Sequence, residues 1–273
     1  MVKLAELVEE VQAILGIDYE VSEANVKKNN GLVKKGLTIR KKDQAIAPTI
    51  YVGDDDTPES IVETYNGLDM DESIMSLIPS DISSKEYILA NVFPVLCNKQ
   101  KNENMLDDFV HTLYSDLVIM YRVSLDDERV SYLVRKNHIE NREIDEQELH
   151  NAAMKNVKGK AHIFGVEYML RKMGCPESMI DVVDDSPLKI LTNENGLYGA
   201  GAILDEDIAD QIGEDVYILP SSIHELIIVP ANGDMEVNDL VSIVKEVNST
   251  QLSPQEVLSD NVYVFRYNRM EVA

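Results

Sequence analysis

The 273-residue chain has no tryptophan, four phenylalanines and two cysteines. Two cysteines cannot build a disulfide framework, and neither Cys97 nor Cys175 stands in a C-x-x-C pair. Both are expected to be small buried hydrophobes of a reducing compartment. Metal-ligand spacings are missing as well. His111, His138, His150, His162 and His224 include no i, i+4 pair of the H-E-x-x-H kind and no Cys/His cluster, so neither a structural zinc nor a cofactor is expected. No apolar run approaches the roughly 20 residues that span a bilayer. The opening M-V-K-L-A-E-L-V-E-E carries carboxylates where a signal peptide needs an apolar core. The expectation is a soluble, cytoplasmic protein with no membrane partner.

Positive charge is the other scarce commodity. Lysine and arginine number 25 against 49 acids, a formal net charge of −24. The imbalance is local: residues 174–273 hold 19 acids and 4 bases, whereas residues 24–42 hold seven bases and no acid. Binding of nucleic acid by the whole surface is disfavoured, because phosphate attraction needs positive faces. Only the basic segment 27–42 offers a local exception. The acidic excess reads first as a soluble, self-repelling surface, and alternatively as an acidic DNA mimic that occupies a basic partner.

What is present is ordinary globular material, 44% hydrophobic and 27% charged. Residues 2–15 place Leu4, Leu7, Val8, Val11, Ile14 and Leu15 on one helical stripe, with Gly16 as a stop. Residues 18–27 and 32–40 read as a hairpin around Asn29-Asn30-Gly31. A strand at 46–52 contains Pro48, and Thr57-Pro58 opens a helix. Residues 87–98 read as one strand, at an edge or bulge because of Pro94. Residues 113–125 and 129–135 read as paired strands, and Asp145 with Glu148 caps a helix to about 156. The C-terminal part reads strand 188–193, glycine-rich turn 194–201, helix 204–212, strands 216–219 and 225–229, helix 236–248, short helix 253–258 and strand 261–266. Strict βαβ alternation is lacking, which favours an α+β fold with mixed or antiparallel sheets, flanking helices and an N-terminal amphipathic helix followed by a basic β-hairpin. The acidic tract 181–187 suggests a division into 1–180 and 188–273, with one continuous domain as the alternative.

Residues 216–230, V-Y-I-L-P-S-S-I-H-E-L-I-I-V-P, hold the densest cluster of reactive side chains: Ser221, Ser222, His224 and Glu225. A hydrolase needs nucleophile, base and carboxylate to converge in space. In an extended segment Ser222 and His224 share a face and Glu225 takes the other. The G-x-S-x-G elbow is absent. A turn whose polar groups satisfy nearby backbone is the simpler reading. The run Gly196-Leu-Tyr-Gly199-Ala-Gly201 lies where a phosphate cradle would, but its order is not the dinucleotide fingerprint, and Asp205, Glu206 and Asp207 follow it. Asp54-Asp55-Asp56 lacks calcium-loop spacing and suits a helix N-terminus.

Several blocks together carry a resemblance. They are I-A-P-T-I-Y-V (46–52), N-x-x-x-N-x-N-M-L (98–106) leading into S-D-L-V-I-M-Y (115–121), L-T-N-E-N-G-L-Y-G-A-G-A-I-L (191–204), the 217–230 segment and V-N-S-T-Q-L-S-P-Q-E-V-L-S-D-N-V-Y (247–263). In this order the chain resembles the family known as domain of unknown function 5688. The resemblance implies a bacterial, cytoplasmic protein, often encoded near mobile elements, with no assigned activity and no catalytic residues to carry over. The leading expectation is a non-enzymatic protein that binds another macromolecule, most simply a protein. The alternative is a hydrolase or transferase using His224, with Ser222 as nucleophile or Glu225 as acid/base.

Overall fold

The computed structural model describes residues 4–42, 47–68, 81–126, 130–180, 186–213, 215–231, 235–267 and 269–273. They form two compact units, Met1–Ile78 and Pro79–Ala273.

The first unit runs α1 (Leu4–Leu15), β1 (Tyr19–Lys27), β2 (Val33–Lys41), β3 (Thr49–Tyr51) and α2 (Pro58–Gly67). The stripe expected on α1 buries Leu7 and Val11. Gly16, at φ 82°, ends the helix in the left-handed region. Gln12 then ties helix to sheet: its Nε2 donates to the carbonyls of Gly16 and Tyr19, and its Oε1 accepts from the Val21 amide. The β1–β2 hairpin pairs from Tyr19↔Lys41 to Lys27↔Val33 and turns through a short 3-10 segment in which Asn30 has φ 61°. Val21, Leu37, Ile39 and Ile50 on one sheet face pack with Leu7, Val11, Ile61 and Tyr65. By alternation the other face carries Ser22, Ala24, Gly36, Thr38, Thr49 and Tyr51. Thr57 and Ser60 close a reciprocal capping box on α2, and Asp56 accepts from the Gly53 amide. The aspartate run is therefore a helix entrance.

The second unit contains α3 (Lys85–Asn91), β4 (Val92–Asn98), α4 (Glu103–Leu106), β5 (His111–Tyr114), β6 (Leu117–Asp126), β7 (Val130–Leu133), α5 (Lys136–Glu140), α6 (Glu146–Val157), β8 (Ala161–Gly165), α7 (Val166–Lys172), α8 (Glu177–Ile180), β9 (Lys189–Asn193), α9 (Ala209–Ile212), β10 (Val216–Pro220), β11 (Leu226–Pro230), α10 (Val237–Thr250), β12 (Tyr263–Arg266) and β13 (Arg269–Val272). Two antiparallel sheets result. In one, β4 lies along one side of β6, while β5 and β7 pair with successive parts of the other side. The second has the order β13-β12-β10-β11-β9-β8. A single core spans both sheets, drawing Leu96, Leu117 and Tyr121 together with Leu191, Ile218, Leu226 and Tyr263. The fold is α+β, with helices flanking antiparallel sheets.

Several expected boundaries move. Residues 87–98 are half helix and half strand, because Ser84 caps α3 by accepting from the Tyr87 amide and Pro94 sits on the edge strand β4. Strand 113–125 is interrupted at Ser115, whose φ of 55° turns β5 back onto β6. Of the acidic tract 181–187, residues 181–185 lie outside the described residues; β8 and β9, on either side of it, pair along their whole length. The expected helix 204–212 is shorter, a 3-10 turn at Glu206–Ile208 followed by α9, and 254–256 form only a turn. Among the described residues no helix is long and apolar enough to cross a membrane.

Candidate functional site

The turn at 221–225 joins β10 to β11, and several of its polar groups have local partners. Ser222 is 6% exposed and its Oγ accepts from the His224 amide, while its own amide donates to the Glu225 carbonyl. Ser221 Oγ lies 3.4 Å from Glu225 Oε1. The Ile223 amide donates to Glu256 and its carbonyl accepts from Ala200. His224 Nδ1 accepts from the Tyr198 amide at 3.1 Å, which places the ring proton on Nε2. Burial lowers the imidazole pKa below its usual value, partly offset by Glu256 and Glu225. A neutral ring whose lone pair faces a backbone N–H cannot take a proton from serine. Ser222, His224 and Glu225 are thus adjacent without forming a nucleophile–base–carboxylate relay.

The glycine-rich run completes this knot. Tyr198 takes φ 54°, and residues Gly199–Leu204 form a buried 3-10 segment. A Cβ on Gly199 would lie 2.5 Å from the His224 carbonyl and also strike Thr192 Oγ1, which itself donates to that carbonyl. The glycine is there because backbone must approach backbone. Amides that a phosphate would need are already bonded, that of Tyr198 to His224 and that of Ala200 to Ile223. Arg122 stacks 4.7 Å over the Tyr198 ring and holds Ser131 through two nitrogens. Asp205, 4% exposed, accepts from the amides of Gly159 and Asp207. It is a structural cap rather than an obstacle to a ligand.

The other blocks behind the resemblance also meet. Asn98 donates to the Leu258 carbonyl, and the buried Asn102 donates to Asn98. Asn261 binds Asp116, and Asn248 donates to both Ser259 and Asp260. Segments 98–116 and 248–263, far apart in sequence, are joined by one side-chain–backbone and one side-chain–side-chain bond among those named. Burial of Tyr263 in this network lifts its phenol far above the usual range.

A second site, with no signal in the sequence, lies where β5 and β6 meet α6. Thr112 Oγ1, Tyr121 Oη and His150 Nδ1 form a chain with steps of 2.6 and 2.7 Å. Tyr121 is fully buried. Thr112 and His150 line a cleft of about 470 Å³ together with Tyr114, Glu206, Arg269 and Glu271. Burial lowers the His150 pKa. The signal was absent because the three residues come from two strands and a helix. Of the remaining histidines, His111 Nδ1 lies 3.1 Å from the Phe109 carbonyl, His138 accepts from the Arg135 amide and His162 packs on Phe164. Among the described residues no three of His, Cys, Asp or Glu gather as a metal site. Cys97 is buried, its thiol pushed up to about 12, and Cys175 is half-buried.

The basic hairpin presents a different surface. Lys28 and Lys34 place their ammonium groups 4.9 and 5.3 Å from the ring centroid of Tyr51, which is 40% exposed. Arg40 pairs with Glu20 at the other end of the same face.

No curated protein and no solved structure matches this chain. A family model does, over residues 4–267, and its description is a family of unknown function. Since that match takes in nearly every element described above, the chain belongs to the DUF5688 family.

Proposed function

We propose that this protein works by binding another macromolecule, most simply a protein with an acidic surface, and not by catalysis at the serine–histidine turn. The observation that carries the reading is the Lys28–Tyr51–Lys34 group on the face of the first unit's sheet opposite its own core. An exposed aromatic ring between two ammonium groups combines apolar area with charge in a small patch. The remainder of the chain is strongly acidic, so this patch is where an anionic partner meets least repulsion. The local bonding of Ser222 and His224 supports the same reading, because both side chains are engaged with backbone amides. A bacterial, cytoplasmic setting with a link to mobile elements fits the family resemblance.

Affinity capture from a native lysate tests it. The wild-type chain should retain a stoichiometric partner that salt releases, and Lys28→Glu with Lys34→Glu should lose it. A monomer that retains nothing at low salt, or a partner indifferent to the double substitution, overturns the proposal.

A further inference from the structure

The cleft beside His150 is independent of the proposed macromolecular contact. Its depth can be read from exposure. Ile119 and Met270 are buried at its floor, at 3% and 2%. Thr112, Tyr114, His150, Met154 and Leu204 are half-buried walls, while Glu206, Arg269 and Glu271 are exposed at the mouth. The volume of about 470 Å³ is in the range of small-molecule sites.

The polar groups have an order too. Tyr121 Oη lies between Thr112 and His150 and has no access to water. With Nδ1 turned inward to Tyr121, Nε2 is the ring nitrogen left for the cleft. Burial holds the ring neutral, so His150 offers a hydrogen bond rather than a charge. The chain has two proton arrangements. If Tyr121 donates to Nδ1, Nε2 is a donor; if Nδ1 donates to Tyr121, Nε2 is an acceptor and Thr112 is left to donate. Either way an uncharged polar group can be met at the inner end. The Tyr114 hydroxyl accepts from the Met270 amide, and its own hydrogen remains to donate. At the mouth, two carboxylates and one guanidinium offer sites for charges of both signs, and among the described residues none of the three is held in an ion pair.

We propose that this cleft is a binding site for a small zwitterionic amino compound, such as a free amino acid. Its ammonium group meets Glu206 or Glu271, its carboxylate meets Arg269, and an uncharged polar group on its side chain meets His150 Nε2. The apolar walls from Met154 and Leu204 accommodate the carbon chain between these ends.

The test uses the full chain labelled with ¹⁵N-histidine, titrated singly with each of the twenty free L-amino acids. Cadaverine serves as an amine without a carboxylate, and glutarate as the reverse. The expected result is a saturable shift of the His150 ring nitrogens by one or more amino acids with polar uncharged side chains, and a much weaker response to cadaverine and glutarate. Arg269→Gln should weaken binding about tenfold or more, the usual scale for a charged hydrogen bond. Because Arg269 is exposed, that variant should fold, and its spectrum reports whether it has. His150 resonances indifferent to every amino acid overturn the proposal, as do cadaverine or glutarate binding as tightly as any zwitterion.

Discussion

His224 and His150 make an instructive pair. Each is a partly buried imidazole with a lowered pKa, and each has burial as the first cause. They differ in what faces Nδ1. At His224 it is a backbone amide, which fixes one tautomer and commits the lone pair to the fold. At His150 it is a phenol that can donate or accept, itself bonded to a threonine beside a cleft. The first ring is part of the framework; the second keeps both proton arrangements open. Chemical capacity thus follows the partner of the inner nitrogen, not the density of reactive residues along the chain.

The comparison breaks most readily through Gly199. Gly199→Ala forces a methyl group against Thr192 and the His224 carbonyl, and should destabilise the protein by roughly 3 kcal/mol in chemical denaturation. A near-neutral result would mean the turn is not the tight framework described. His224→Leu is next, at about 2 kcal/mol, because the Tyr198 amide loses its acceptor. His150→Leu should cost less, about 1 kcal/mol, since the Tyr121 hydroxyl keeps Thr112. Equal losses at the two positions would erase the distinction. Tyr121→Phe should also cost about 1 kcal/mol, and it should shift the His150 Nδ1 resonance without moving that of His224.

The smallest effect is on pH dependence. Both imidazoles have folded pKa values below the unfolded 6.5, so between those values the unfolded chain binds more protons. Their contribution to stability is full above about pH 6.5 and is lost as pH falls through the folded values. His138, lowered by burial and by Arg142 and Arg135, adds to the same trend. Denaturation midpoints should therefore fall on acidification from pH 7, and His224→Leu should flatten that slope. An unchanged slope would place His224 in contact with water.

Local signals carried well into the structure. The α1 stripe, the Asn-Asn-Gly hairpin, the Thr57-Pro58 helix start and the Asp145 cap are all present, since each depends on neighbours a few residues away. Pro94 did belong on an edge strand. The failures share a cause. The apolar stretch 87–98 has no period that separates helix from strand, and only the Ser84 cap divides it. The pairing of β8 with β9 across the acidic tract 181–187 is equally hidden, because acidity is visible in sequence and strand partners are not. The Ser221–Glu225 cluster was conspicuous because sequence displays proximity along the chain. Thr112, Tyr121 and His150 were invisible because β6 and α6 bring them together only in three dimensions.

That β8–β9 pairing also bears on how the chain could be divided. Five residue pairs join the strands, from Ala161↔Asn193 to Gly165↔Lys189, with a core shared on both sides. Severing the peptide chain within the acidic tract would remove a covalent connection but none of these contacts. Of two fragments made separately and meeting at that junction, the first carries β8 and the second carries the other five strands of the sheet. The second unit is in this sense a ready-made split protein, whose reassembly could report that two fused partners have come together.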